Sequence, residues 1–132
     1  DRAGDCVAAA HAGWRGLAAG VLEATVAALP ADAADLMAWL GPAIGPDAFE
    51  VGDEVREAFV TADARAGAAF RPAGDGRWLA DLYRLARLRL AAAGVPQVFG
   101  GGLCTFTDRH RFYSYRRDGV TGRMASLIWL RP

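Results

Sequence analysis

Two histidines, two cysteines and a cluster of arginines and tyrosines hold most of the chemistry available to this 132-residue chain. His11 and Arg15 lie in the segment "HAGWRG". An imidazole can ligate a metal or move a proton near neutral pH, and a guanidinium can fork onto an oxyanion. A run of small apolar residues, Cys6 to Ala10, leads into His11, and an amphipathic stretch follows. His11 is therefore expected where a strand hands over to a helix. A strand end fixes a side chain, while the adjoining loop opens it to solvent. Arg15 then falls in the first helical turn, where unpaired N–H groups and the positive dipole end attract anions. The pair suits an anionic or metal-bound ligand. A capped helix with a packed Trp14 and a surface arginine fits the same spacing.

The second constellation is "RFYSYRRDGVTGR", from Arg111 to Arg123. Arg116 and Arg117 can take a phosphate or carboxylate bidentately, and Tyr113 or Tyr115 can stack on a flat base. An edge hairpin with outward arginines and inward tyrosines explains the pattern equally well. The sulfurs offer less. Cys6 and His11 are five apart, so on a strand they face opposite sides and cannot share a metal. Cys104 and His110 can approach around a turn as a two-ligand zinc half-site, but a closed site needs more ligands. Copper oxidase chemistry needs many imidazoles and is less supported still. Glu50 can support a site or act as a solvated cap, and Asp81 reads as an N-terminal helix acid.

The elements that must position these residues follow from periodicity. A buried strand is expected over Cys6 to His11, then one helix from about Trp14 to Leu29, closed by Pro30. A strand near Leu36 to Leu40 leads into the Gly-Pro turns of Gly41 to Pro46. A short extended piece precedes a helix from Asp53 to about Ala62, and Ala64 to Gly76 reads as loop. The clearest helix lies in "WLADLYRLARLRLAAAGV", with Leu79, Leu82, Tyr83, Ala86, Leu90 and Ala93 on one face and Gly94 as C-cap. Val98 to Gly102 is strand-like. The end is expected to alternate, turn at Asp118–Gly119 and finish as a strand from Arg123 to Leu130.

Composition bounds the class. Hydrophobic content of 53% and charged content of 23% describe a globular domain able to bury a core. No apolar run is long enough for a transmembrane helix, and no signal peptide is visible. The absence of an initiating Met suggests that the gene product begins earlier. Zero formal net charge argues against a nucleic-acid binder, although Asp108 to Arg123 holds five Arg against two Asp. Two distant cysteines without CxxC spacing read as reduced thiols of a cytoplasmic protein.

Three stretches in fixed order, "HAGWRG", "GPAIGPDAFEVG" and "CTFTDRHRFYSYRRDGVTGRMASLIWL", resemble the YfiH family. That family is also called the laccase-domain or multicopper polyphenol oxidase family, and is described as a purine nucleoside phosphorylase. The resemblance covers essentially the whole chain, read as one domain over residues 1–132. It implies an α+β fold, a layered αββα-type sandwich of a cysteine-hydrolase-like superfamily, here without its N-terminal part. It implies phosphorolysis of adenosine, inosine and methylthioadenosine, with adenosine deaminase activity beside it. It also implies zinc, with copper as the alternative, held by two His and one Cys. His11 matches the second of those histidines. The first His and the Cys of an "ADC"-type motif precede residue 1, so an N-terminal segment of the same gene product is an expected partner.

Under that resemblance, His11 is the catalytic and metal-binding candidate. From their chemistry, Arg15, Arg116 and Arg117 are candidates for phosphate, and Tyr113 or Tyr115 for the purine. Breaking an N-glycosidic bond builds an oxocarbenium-like sugar, and catalysis needs an oriented phosphate and a stabilised leaving base. The rival readings are a thiol hydrolase with a Cys nucleophile and His11 as base, a copper-dependent phenol oxidase, and a non-catalytic binding fragment.

Overall fold

Asp81 opens the longest helix. Its carboxylate accepts the Arg84 amide at 2.9 Å and caps α4, Leu82–Ala92. The computed structural model, described over residues 1–131, buries Tyr83, Leu85, Ala86 and Leu90 on one side of α4. Gly94 follows with φ 86°, a left-handed stop that a side chain would strain. The helix begins later than its periodicity predicts. Trp78 and Leu79 lie instead in a strand, β4, Arg77–Ala80.

The amino-terminal helix is two helices. α1 spans Trp14–Ala18 and α2 spans Val21–Ala28, with Gly20 at φ 87° between them. A glycine in that conformation redirects the chain at little steric cost. β1, Met37–Leu40, follows as expected, then β2, Glu50–Gly52, and α3, Asp53–Val60. The segment expected as loop holds a 3-10 helix, Ala64–Ala69, and β3, Phe70–Gly74. β3 turns into β4 at Asp75–Gly76, whose φ values of 49° and 69° suit an Asp-Gly hairpin turn. β5 is Gln97–Gly100, and a last helical turn, α5, is Tyr115–Asp118.

Two small sheets result. β2, β4 and β3 form an antiparallel sheet in that order, and β1 pairs with β5 in parallel from Met37 opposite Gln97 to Leu40 opposite Gly100. The core lies between helices and the antiparallel sheet, with Leu17, Phe59 and Leu85 fully buried among Phe49, Val51, Val55 and Phe70. A smaller cluster of Leu36, Leu90 and Val95 sits under the parallel pair. The architecture is a mixed α/β fold. No helix among the described residues is long and apolar enough to cross a membrane.

Two expected strands are not formed. Cys6 to His11 has no regular structure, and Val7 to His11 is exposed. Arg123 to Leu130 is likewise irregular, with Leu127 81% and Trp129 71% exposed. A strand exists through its ladder of hydrogen bonds, and neither segment has a partner strand among the described residues. The residues before Asp118–Gly119 form α5 rather than an alternating strand, because Ser114 caps them as a helical turn.

Candidate functional site

Leu17 anchors the first candidate region. It is 1% exposed, and burying a leucine contributes about 1.5–3 kcal/mol, enough to hold the short α1 against the core. The Leu17 amide donates to the Gly13 carbonyl at 2.9 Å, which fixes the start of that helix. His11 lies just before it, exposed and without regular structure. Gly13 passes close to the imidazole: a Cβ there would stand 3.3 Å from His11 Nε2. The Arg15 guanidinium lies 4.4 Å from the Trp14 ring centroid. His11, Gly13, Trp14, Arg15 and Gly16 line an open depression of about 280 Å³. A larger one of about 440 Å³, bordered by Val7, Val21 and Leu29, offers only the Thr25 hydroxyl, which donates to Val21 O.

The second region is built from Cys104 to Asp118. Arg117 is its centre, with a side chain 8% exposed. Its Nη1 donates to the carbonyls of Thr105 at 3.0 Å and Phe106 at 2.8 Å, and its Nη2 to that of Phe112 at 3.0 Å. Nε and Nη2 also fork onto the Asp118 carboxylate at 2.8 and 2.7 Å. The hydrogen bonds from Arg117 hold the Asp118 carboxyl below its ordinary range. Arg111 pairs with Asp108 through Nε alone. Two of the five arginines that made this stretch look basic are thus neutralised within it.

Arg116 behaves differently. It is exposed, lies 5.1 Å over the Phe49 ring, and donates from Nη1 to Glu50 O only at a long 3.4 Å. Phe49 belongs to the cluster that contains Leu17 and against which Ala12 and Trp14 pack, so the two regions share one foundation. Tyr115 is 72% exposed and Tyr113 55% exposed, the latter with its ring against Gly122. His11 and Arg15 are brought together, as are Arg116 and Arg117. Among the described residues no hydrogen bond or ion pair joins one group to the other.

Between β1 and β5 lies a junction that sequence reasoning passed over. Gly-rich loops leave the carboxyl ends of both strands, the location where open α/β sheets place ligands. They are stitched by the Thr105 amide to Ala43 O at 2.9 Å, the Gly45 amide to Cys104 Sγ at 3.1 Å, and the Ala43 amide to the Tyr83 hydroxyl at 2.8 Å. The same hydroxyl donates to Leu103 O at 2.8 Å. Burial pushes the Tyr83 phenol up. Burial also raises the Cys104 thiol, but hydrogen bonds from Thr107 and from the Gly45, Thr107 and Phe106 amides outweigh it, so the thiol titrates below its ordinary value. The signal available in the sequence was a glycine-rich turn after each of two strands.

No group of three His, Cys, Asp or Glu side chains among the described residues is placed to hold a metal. Cys104 is turned to Gly45, and His110 is exposed. These residues alone do not fit a closed zinc or copper site.

Fold and site together define a mixed α/β domain in which the exposed Arg15 and Arg116 each rest on an aromatic ring. Comparison with known proteins narrows the class. The family model described as multi-copper polyphenol oxidoreductase laccase matches residues 1–131, and the chain belongs to that family, which holds the YfiH proteins. A Pseudomonas aeruginosa protein named purine nucleoside phosphorylase is 67% identical over 132 residues, covering 99% of this chain and 54% of its own length. The Escherichia coli purine nucleoside phosphorylase YfiH is 64% identical over 130 residues, covering 98% of this chain and 53% of its own. A crystal structure of a Neisseria meningitidis protein of the DUF152 family superposes with a TM-score of 0.98 at 60% identity, over 100% of this chain and 55% of that one. The chain therefore spans about half the length of the curated relatives it matches.

Proposed function

We propose that this chain is part of a purine nucleoside phosphorylase that transfers the ribosyl group of adenosine or inosine, or the methylthioribosyl group of methylthioadenosine, to phosphate. The observation that carries the reading is 67% and 64% identity, across nearly the whole chain, to two proteins named purine nucleoside phosphorylase. The geometry agrees with it. Arg15 and Arg116 present guanidinium groups on aromatic supports, suited to an oxyanion, and the exposed Tyr115 and Tyr113 rings suit a purine face. His11, exposed beside Arg15, is the candidate catalytic and metal-binding residue.

Several finer points belong to the same proposal. The complete domain is an αββα sandwich of the cysteine-hydrolase-like kind, in which a further segment of the gene product covers the exposed β1–β5 face. Met37, Trp39 and Phe99 on that face, 50%, 63% and 54% exposed, support such a covering. Zinc, or copper, would take His11 as one ligand and its other ligands from outside this chain. Adenosine deamination would be a second activity of that site. Both cysteines are free thiols, in keeping with a cytoplasmic location.

The test is release of adenine from adenosine and hypoxanthine from inosine by the full-length gene product, with and without phosphate. Release that depends on phosphate and yields ribose 1-phosphate is expected. Release without phosphate would move the assignment to a hydrolase.

A further inference from the structure

The adjacent arginines Arg116 and Arg117 do two different jobs. Successive residues on a helical turn point about 100° apart, so α5 can send one side chain inward and the other out. Arg117 goes inward. Its five N–H groups meet five acceptors: the carbonyls of Thr105, Phe106 and Phe112 and both oxygens of Asp118. No donor is left for a ligand. Arg116 goes outward, to the Phe49 ring, with one long bond to Glu50 O and no other partner among the described residues.

We infer that Arg117 is a positioning residue that clamps the 105–118 segment, and that the clamp delivers Arg116 onto the Phe49–Glu50 edge as the anion-contacting member of the pair. The carbonyls of Thr105 and Phe106 lie just after Cys104, which is stitched to Gly45, and that of Phe112 just before α5. One planar guanidinium thus ties the strand-end loop to the helical turn that carries Arg116. Ser114, 8% exposed, reinforces the arrangement by capping α5. A lysine cannot replace the clamp, because an ammonium has three donors and no fork. The identity of the anion as phosphate rests on the phosphorylase reading. The clamp itself rests only on the geometry.

The experiment compares Arg116→Gln, Arg117→Ala and Arg117→Lys in the full-length gene product. The readouts are inorganic phosphate affinity by calorimetry, the phosphate KM and kcat of base release, and amide hydrogen exchange over 105–118. Arg116→Gln is expected to weaken phosphate binding about 10-fold or more, as loss of a charge-assisted hydrogen bond does, with exchange unchanged. Arg117→Ala is expected to speed exchange over 105–112 and to weaken phosphate binding with it. Arg117→Lys should restore neither, and it decides the matter should the alanine variant not fold. Weaker phosphate binding in either Arg117 variant with wild-type exchange would mean that Arg117 touches the anion itself. Faster exchange with undiminished phosphate binding would sever the clamp from the site. A wild type that neither binds phosphate nor releases base would end the phosphorylase reading, while the exchange comparison would still judge the clamp.

Discussion

The amide of Gly45 donates to the Sγ of Cys104 across 3.1 Å, joining residues 59 apart in sequence. This bond and its neighbours favour the thiolate, so the Cys104 thiol titrates below its ordinary value near 9.0. A group whose folded pKa is depressed adds stability above its unfolded pKa and loses it as pH falls through the folded value. Unfolding free energy of the wild type should therefore rise as pH approaches 9 relative to Cys104→Ala, and the gap should close at lower pH. Denaturant melts at a series of pH values measure this. A gap independent of pH would remove the thiolate from the account.

Tyr83 holds both strand-end loops through one hydroxyl, accepting from Ala43 and donating to Leu103. Tyr83→Phe keeps the ring and leaves a part-buried amide and carbonyl without their partner. The expected cost is about 1–3 kcal/mol. Urea unfolding gives the number, and a change below about 0.5 kcal/mol, the usual range of a neutral surface substitution, would mean that water replaces the hydroxyl.

Gly100 and Gly102 have similar φ, 73° and 74°, but different surroundings. A Cβ on Gly100 would stand 2.5 Å from Leu40 O, whereas one on Gly102 meets nothing within 4 Å. Gly102→Ala should cost about 1–2 kcal/mol, the backbone term alone. Gly100→Ala should cost clearly more, since the parallel pairing of β1 and β5 must shift. Equal melting temperatures for the two variants would contradict the close approach.

His11 is exposed and makes no hydrogen bond through its side chain among the described residues. Its replacement by alanine should change stability by less than about 0.5 kcal/mol. Phosphorolysis should fall by about 100-fold or more, as loss of a catalytic acid–base group or of a metal ligand requires. A variant with normal base release would reduce His11 to a surface residue.

Signals that act within a few residues are legible in the sequence. Asp81 caps α4, Gly94 ends its last turn, and Asp53 begins α3, because capping chemistry and apolar spacing act within a few residues. Gly20 split an amphipathic pattern that reads as one helix, since a single positive φ overrides periodicity. The hairpin at Asp75–Gly76 carried a usable turn signal that composition obscured.

The sequence by itself determined α3 and the body of α4, the strand ahead of the Gly-Pro turns, and the motifs that tie the chain to its family. It also brought His11 and Arg15 together, because they are only four positions apart. Only the tertiary structure decided that Arg117 faces carbonyls while Arg116 faces Phe49, and that Cys104 answers Gly45. It alone left the segments around Val7 and Leu127 unpaired. Helices close their hydrogen bonds locally and so are legible in sequence. Strand pairing and the direction of a long side chain depend on residues far along the chain, and these set the candidate site.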